Sequence, residues 1–284
     1  MLIRKNFNLT EYNSYRLKSI AETVIFPENT NDIVEIFKNK TTKPIVLGGG
    51  NNIILSKKYY NQVFVVLNGC FDKVEVTKNL VIAEAGATML RLSEEALKNS
   101  LSGLEIFYDI PSSVGGAVVM NAGNDEEEIK NLLVKVEYLD LVDMKVKTMT
   151  CDEVGFEYRN SYFQKNTDNI VLKAWFRLST GNKKAIKNKM ETIKEKRWSK
   201  QPRNYPNCGS VFKRPEHLYV GPMLDNLQLK GFSIGGAQVS KKHSGFIVNT
   251  GNGTGEDILA VIKKVKEQVE EKFKVKLEVE QRII

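Results

Sequence analysis

The segment Asn207-Cys208-Gly209-Ser210-Val211-Phe212-Lys213 sets a thiol and a hydroxyl on either side of one glycine. A thiol ionises far more easily than an alcohol, so reactivity alone selects Cys208. The rest of the chain narrows what either group can do. His217 and His243 are its 2 histidines, and neither a Ser-His-Asp triad nor a histidine-based metal centre is expected from so few. The 3 cysteines, Cys70, Cys151 and Cys208, are odd in number and far apart. That pattern suggests neither a disulfide framework nor a CxxC metal site.

Two glycine clusters carry a different chemistry. Gly48-Gly49-Gly50-Asn51-Asn52 follows the strand-like run Pro44-Ile45-Val46-Leu47, as a dinucleotide-binding loop does. The Rossmann fingerprint then requires a helix, whereas this chain continues with the β-branched run Ile53-Ile54-Leu55. Successive N–H groups in a glycine turn form an anion-binding nest without any helix, and the asparagines add amide donors. Taken alone, the cluster reads better as a plain tight turn between strands. The second cluster, IPSSVGGAVVMNAG at 110–123, tips the balance. Its small residues let the backbone approach a flat or charged ligand, and Ser112 and Ser113 offer hydroxyls to phosphate. With no Lys-Ser/Thr pair of a P-loop beside either cluster, the two suggest a dinucleotide lying across a non-Rossmann surface.

The motifs LGGGNN (47–52), IPSSVGGAVVMNAG (110–123), EYRNSYF (157–163), GSVFKRP (209–215), LKGFSIGGAQVSKKHSGFIVN (229–249) and LEVEQRII (277–284) occur in this order. The set resembles the MurB family, the UDP-N-acetylenolpyruvoylglucosamine reductases, from about Asn13 to the C-terminus. The short connection between Tyr162-Phe163 and Gln201-Pro202 resembles the compact type II branch. The resemblance implies an α+β protein, with an FAD-binding domain of the vanillyl-alcohol-oxidase (PCMH) type followed by a smaller α+β substrate-binding domain. It implies non-covalent FAD held by Gly48, Gly49, Gly50, Asn51, Asn52, Ser112, Ser113, Gly115, Gly116 and Gly123, and NADPH as co-substrate. The implied substrate is UDP-N-acetylglucosamine-enolpyruvate, reduced to UDP-N-acetylmuramate for peptidoglycan synthesis.

That reduction delivers hydride to C3 of the enolpyruvyl group and a proton to C2, so negative charge grows on the carboxyl oxygens between the two events. A cation against those oxygens lowers the barrier because the interaction strengthens in the transition state. Arg159 matches the family's residue for this role, Glu280 its carboxylate, with Glu278 as runner-up, and Ser210 its proton donor. A serine hydroxyl is a weak acid, but a carbon-centred enolate is basic enough to take its proton when well placed. Tyr158, Lys213, Gln238 and Arg282 match substrate-lining positions, with Lys213, helped by Lys241-Lys242, opposite the diphosphate. Asn160 also falls in a matching motif, and His243 reads as structural. Five positions depart from the family pattern: Asp109 and Ser112 stand where it has glycines, Ser113 where it has threonine, Asn51 where it has serine, and Arg214 where it has asparagine.

The elements that must position these residues read as strands and short helices in alternation up to about residue 180. Strands are expected over 23–26, 44–47, 64–67, 74–77, 80–85, 134–142 and 170–178, and helices after the capping residues 29–32 and over 90–97. Beyond 180 come a basic helix, a Pro/Asn/Gly-rich loop over 201–209, and strand-like segments over 210–249. Next is a helix whose apolar stripe is Ile258, Val261, Ile262, Val265, Val269 and Phe273, with Thr254 and Asp257 as its capping box. A last strand spans 274–284; over 275–283 its odd positions are apolar apart from Gln281, and its even positions are charged. The expected domains are therefore 1–180, binding FAD in two α+β subdomains, and 181–284, binding substrate, with the last strand contributing to the active site.

Composition is that of a soluble globular protein, at 42% hydrophobic and 27% charged residues over 284 positions. No stretch reaches the ~18 apolar residues of a membrane span, and the N-terminus lacks the apolar core of a secretory signal. A cytoplasmic monomer without membrane insertion is expected. The net charge of +8 suits an enzyme of phosphate- and carboxylate-bearing substrates. Residues 183–203 hold nine basic and two acidic side chains. They read as an amphipathic helix with Ile186, Met190 and Ile193 inward and Trp198 near the same stripe. No aromatic residues interleave with the lysines as stacking platforms, so no nucleic-acid partner is expected. The enzyme alternative is another FAD oxidoreductase of the same fold, a class that often tethers its flavin through His or Cys.

Overall fold

The computed structural model of the chain describes residues 1–39, 43–124 and 126–284. Met1–Lys5, Thr23–Gly49 and Gln62–Lys196 form one compact unit; Asn6–Glu22, Gly50–Asn61 and Arg197–Ile284 form a second. Both mix helix and strand, which makes the chain α+β. No helix among the described residues is long and apolar enough to cross a membrane.

The first unit is organised by a five-stranded antiparallel sheet in the order Lys145–Thr150, Leu133–Asp140, Asn169–Arg177, Leu80–Glu84, Val74–Thr77. Its central strand, Asn169–Arg177, is buried at alternate and consecutive positions, which fits a strand covered by helices on one face. The helices Met89–Lys98 and Val114–Met120 pack on this sheet, and Val81, Ala83, Leu92, Ala117, Val118, Val136 and Phe176 are among the residues of the core they close. Thr88 caps the first of these helices by accepting from Arg91 N. The helix Thr30–Lys38 starts at Asn29, whose side chain accepts from Asp32 N. A further short strand, Ile45–Leu47, pairs in parallel with the end of Tyr59–Val66 and leads directly into the first glycine cluster.

The second glycine cluster differs from the loop that its composition suggests. Val114–Met120 is a helix, with Ser113 as its N-cap and Asn121 closing it in the left-handed conformation at φ 45°. Gly115 explains why a glycine is kept in so short a helix. A Cβ there would sit 3.0 Å from Ala85 Cβ, so the bare backbone lets the helix lie directly on the strand end.

In the second unit, Ser233–Ile234, Ala237–Val239 and Ile247–Asn249 form an antiparallel three-stranded sheet. The helix Gly255–Phe273 packs across it, burying Ile258, Val261, Ile262, Val265 and Val269 and keeping its capping box at Thr254 and Asp257. The expected strand-like stretch 210–249 contains a helix, Val220–Asn226. Pro222 is tolerated there because it lies in the first turn, where backbone N–H groups have no intrahelical acceptor. The expected last strand shrinks to Arg282–Ile283, paired in parallel with Ile53–Ile54. The basic helix spans Lys183–Lys200 with Ile186 and Met190 buried, but Trp198 leaves the stripe: it is exposed, with the Arg203 guanidinium 5.7 Å from its ring centre.

Candidate active site

Within the first unit, Gly48 of the first glycine cluster meets Ser113 of the second. A Cβ on Gly48 would lie 2.2 Å from Ser113 Oγ, so the contact exists only because position 48 has no side chain. Ser113 is buried, and its hydroxyl oxygen accepts from Gly116 N at 3.2 Å. Ser112 Oγ donates to Ser113 O at 3.0 Å. A Cβ on Gly116 would lie 3.2 and 3.4 Å from these two hydroxyl oxygens. The first-turn N–H groups of the helix are already used, since Val114 N donates to Ala87 O and Gly115 N to Ala85 O. The helix end therefore docks onto the sheet rather than presenting bare donors. The turn 48–52 is different: none of its main-chain N–H groups donates to another protein group among the described residues. A run of such donors on glycines is a cradle for a polyanion. The asparagine side chains are committed elsewhere, Asn51 Nδ2 donating to Ser14 Oγ at 2.7 Å and Asn52 Nδ2 to Glu280 O at 3.3 Å.

Arg159 also belongs to the first unit. Its backbone has φ 51°, a left-handed conformation that costs a non-glycine residue about 1 kcal/mol. The turn is held by the bridge between Glu157 and Asn160, and the guanidinium donates to the carbonyls of Asn121 at 3.2 Å and Gly123 at 2.8 Å. Asn121, buried, ties the same region together by donating to Glu157 O and to Glu128 Oε2. The Arg159 guanidinium also lies 5.3 Å from the Tyr158 ring centre. Gly123 is another close-approach glycine, where a Cβ would lie 2.2 Å from Glu127 O.

In the second unit, residues 210–213 are clamped between two neighbours. Ser210 bridges Phe246 and Phe212 bridges Val279, both antiparallel. Val211 N donates to Gly245 O at 3.1 Å, Glu280 N to Val211 O at 2.9 Å, and Lys213 N to Glu278 O at 2.9 Å. This register sets Ser210 opposite Gln281 and Val211 opposite Glu280. It sets Lys213 opposite Glu278, where Lys213 Nζ meets Glu278 Oε1 at 2.6 Å. Glu278 thus serves as the partner of the lysine, and Lys213 is paired in this structure. Ser210 is exposed and Glu280 half-buried. Arg282 is exposed, with its N–H donating to Asn52 O. Gln238 is half-buried, and its Nε2 donates to Gly231 O and Ser233 Oγ. Arg214 stacks over Tyr219 at 4.8 Å.

Cys208 is 4% exposed, and its Sγ–H points at Ile53 O, 3.4 Å away. Burial pushes the thiol up to about 12, so it is not a thiolate near neutral pH. His243 is held as a packing residue. Its Nδ1 accepts from Gly245 N at 3.2 Å, its ring meets Phe246 edge-on, and burial lowers its basicity. Beside Cys208 lies a buried polar network of Tyr15 and Gln281 to which the motifs give no role. The buried Tyr15 hydroxyl donates to Gln281 Oε1, and Gln281 Nε2 donates to the carbonyls of Cys208 and Ser210. The one legible sign of it is Gln281 breaking the apolar alternation of the C-terminal segment.

Comparison with known proteins places these features. A family model described as an FAD binding domain matches residues 21–152, and one described as the C-terminal domain of UDP-N-acetylenolpyruvoylglucosamine reductase matches residues 201–284. A curated reductase of that name from Francisella tularensis is 40% identical over 279 residues, covering 98% of both chains. One from Latilactobacillus sakei is 39% identical over 285 residues, covering 99% of this chain and 93% of its own. The crystal structure of UDP-N-acetylenolpyruvylglucosamine reductase (MurB) from Thermus caldophilus superposes with a TM-score of 0.86 at 28% identity over 99% of both chains. Fold and site define an FAD-dependent oxidoreductase whose flavin-binding half is followed by a separate C-terminal domain. The chain belongs to the UDP-N-acetylenolpyruvoylglucosamine reductase (MurB) family.

Proposed function

We propose that the protein reduces the enolpyruvyl group of UDP-N-acetylglucosamine-enolpyruvate to the lactyl ether, giving UDP-N-acetylmuramate for peptidoglycan synthesis. It acts as a cytoplasmic monomer with NADPH as electron donor. Residues 1–180 carry FAD and residues 181–284 the substrate; the two matched family models, at 21–152 and 201–284, fall on either side of that boundary.

The residues present fit FAD. The undonated N–H groups of 48–52 suit the pyrophosphate, and the Ser112 and Ser113 hydroxyls lie beside a glycine surface that a Cβ would fill. Bound FAD supplies hydride transfer, from NADPH to C3 of the enolpyruvyl group. Arg159 stabilises the negative charge that hydride addition builds on the substrate carboxylate, and its left-handed backbone and two carbonyl contacts fix the guanidinium in advance. Ser210 delivers its hydroxyl proton to C2, and the resulting alkoxide is reprotonated from solvent. Glu280 assists charge and proton handling at the same centre. Lys213 exchanges Glu278 for the substrate diphosphate, and Tyr158, Gln238 and Arg282 line the substrate.

The observation that carries the proton-donor reading is the clamp on 210–213, where Glu280 N donates to Val211 O at 2.9 Å. It fixes an exposed serine beside a carboxylate-bearing segment. Arg159→Lys tests the charge-stabilising reading. Lysine keeps the charge but loses the planar fork that satisfies both carbonyls, so kcat should fall on the order of 10²-fold while FAD content is unchanged. Wild-type kcat in Arg159→Lys would remove Arg159 from this role.

A further inference from the structure

Position 281 lies where the C-terminal segment is otherwise apolar, at Val275, Leu277, Val279 and Ile283. Gln281 is nevertheless 3% exposed. A buried amide costs free energy unless it is hydrogen-bonded, and a leucine or methionine of similar size would fill the space without that cost. The glutamine is therefore placed for its hydrogen bonds. Its Oε1 accepts from Tyr15 Oη at 2.9 Å, and its Nε2 donates to Cys208 O at 3.1 Å and to Ser210 O at 3.3 Å. Both amide N–H groups are spent on the two carbonyls that flank Gly209, and the tyrosine hydroxyl fixes which way round the amide stands.

Gly209 makes that clamp consequential. It has φ 77°, and a Cβ on it would meet nothing within 4 Å, so the turn that presents Ser210 is held by hydrogen bonds, Gly209 N to Asn207 Oδ1 at 3.1 Å among them, and not by side-chain packing at 209. Glycine is the residue most free to leave such a conformation. Tyr15 is a stable anchor in turn. It is fully buried, its carbonyl accepts from Asn249 Nδ2 at 2.8 Å, and Asn249 Oδ1 accepts from Gly251 N and Gly253 N. Burial keeps the Tyr15 hydroxyl protonated well beyond its ordinary range, so it remains a donor at any pH at which the enzyme works.

We infer that Gln281 is a positioning residue for Ser210: oriented by Tyr15, its amide fixes the carbonyls on both sides of Gly209 and so aims the serine for proton delivery. This rests on the reading of Ser210 as proton donor. The bond balance at Ser210 is unaltered: O–H breaks and C2–H forms, with Gln281 exchanging no proton.

The test uses anaerobic FAD-bound enzyme, bleached with NADPH and then mixed with the enolpyruvyl substrate, in Gln281→Met, Tyr15→Phe, the double variant and Ser210→Ala. Gln281→Met should keep FAD and bleach at the wild-type rate. Return of flavin absorbance should slow roughly 10- to 100-fold, with a larger solvent deuterium effect, and the amides of 208–212 should exchange faster with solvent. Tyr15→Phe should show the same pattern more weakly, and the two changes should not add, because they act through one amide. Recovery at the wild-type rate in Gln281→Met would overturn the inference, as would an equal slowing of bleaching and recovery, the mark of a general structural defect. If Gln281→Met does not fold, Tyr15→Phe is judged by the same criteria. Wild-type recovery in Ser210→Ala would instead overturn the reading of Ser210 itself, whatever Gln281→Met does.

Discussion

Cys208 and Ser210 lie two residues apart and share a neighbour in Gly209, yet their surroundings separate them. The thiol is buried against Ile53 O and pushed up to about 12, whereas the hydroxyl is exposed. Reactivity in isolation therefore misleads, because desolvation removes the thiolate that makes cysteine reactive. Cys208→Ala should keep most of its turnover and lose about 1 kcal/mol of stability, measured by denaturant unfolding; a folded but inactive Cys208→Ala enzyme would contradict this. Gly48→Ala should do the reverse. A methyl group at 48 would fall 2.2 Å from Ser113 Oγ, so the purified variant should carry little FAD, read from the flavin absorbance per protein. Motif order singled out Arg159, Ser210 and Glu280, the residues proposed for the chemistry, in the sequence. It gave no role to Asn121, which lies within the motif at 110–123, or to Tyr15, whose work is done by buried amide, hydroxyl and carbonyl groups that no local spacing records.

At the scale of elements, a capping box is a local signal and was legible. Thr254 and Asp257 cap Gly255–Phe273, and Asp257 Oδ2 also accepts from Gly236 N at 3.2 Å, joining the helix start to the hairpin below it. Asp257→Ala should cost about 1–2 kcal/mol. Hydrogen bonds from Thr254 N and Gly236 N hold the Asp257 carboxyl below its ordinary value of 3.8. A depressed folded-state value means that the stabilisation is complete above about 3.8 and is lost as pH falls through the lower value. The stability gap between wild type and Asp257→Ala should therefore shrink in acid; a gap that widened below that pH would contradict the assignment. Two elements were not legible because tertiary contacts override local propensity. Val114–Met120, with two glycines and three valines, is a poor helix by composition, and it forms because Ser113 caps it and Gly115 seats it on Ala85. The C-terminal segment reads as a long strand from alternation, but its pairing to 210–213 is an isolated bridge at Val279, and only Arg282–Ile283 finds a regular partner.

For the whole molecule, the α+β class was legible in the sequence, since strands, helices and their caps are local features. The five crossings of the chain between units, at 5/6, 22/23, 49/50, 61/62 and 196/197, were not, because they are set by contacts remote in sequence. FAD binds the folded chain and not the unfolded one, so free FAD at about 100 times its dissociation constant should add about 2.7 kcal/mol of stability. Thermal melting with and without added FAD checks this, and an unchanged midpoint would contradict a specific flavin site. The central claim, that proton delivery by Ser210 completes reduction of the enolpyruvyl group, is tested most directly by rapid mixing of NADPH-bleached enzyme with that substrate in the absence of oxygen. Wild type should regain its flavin absorbance. Ser210→Ala should bleach with NADPH at the normal rate and then remain bleached, and recovery as fast as wild type would contradict the account.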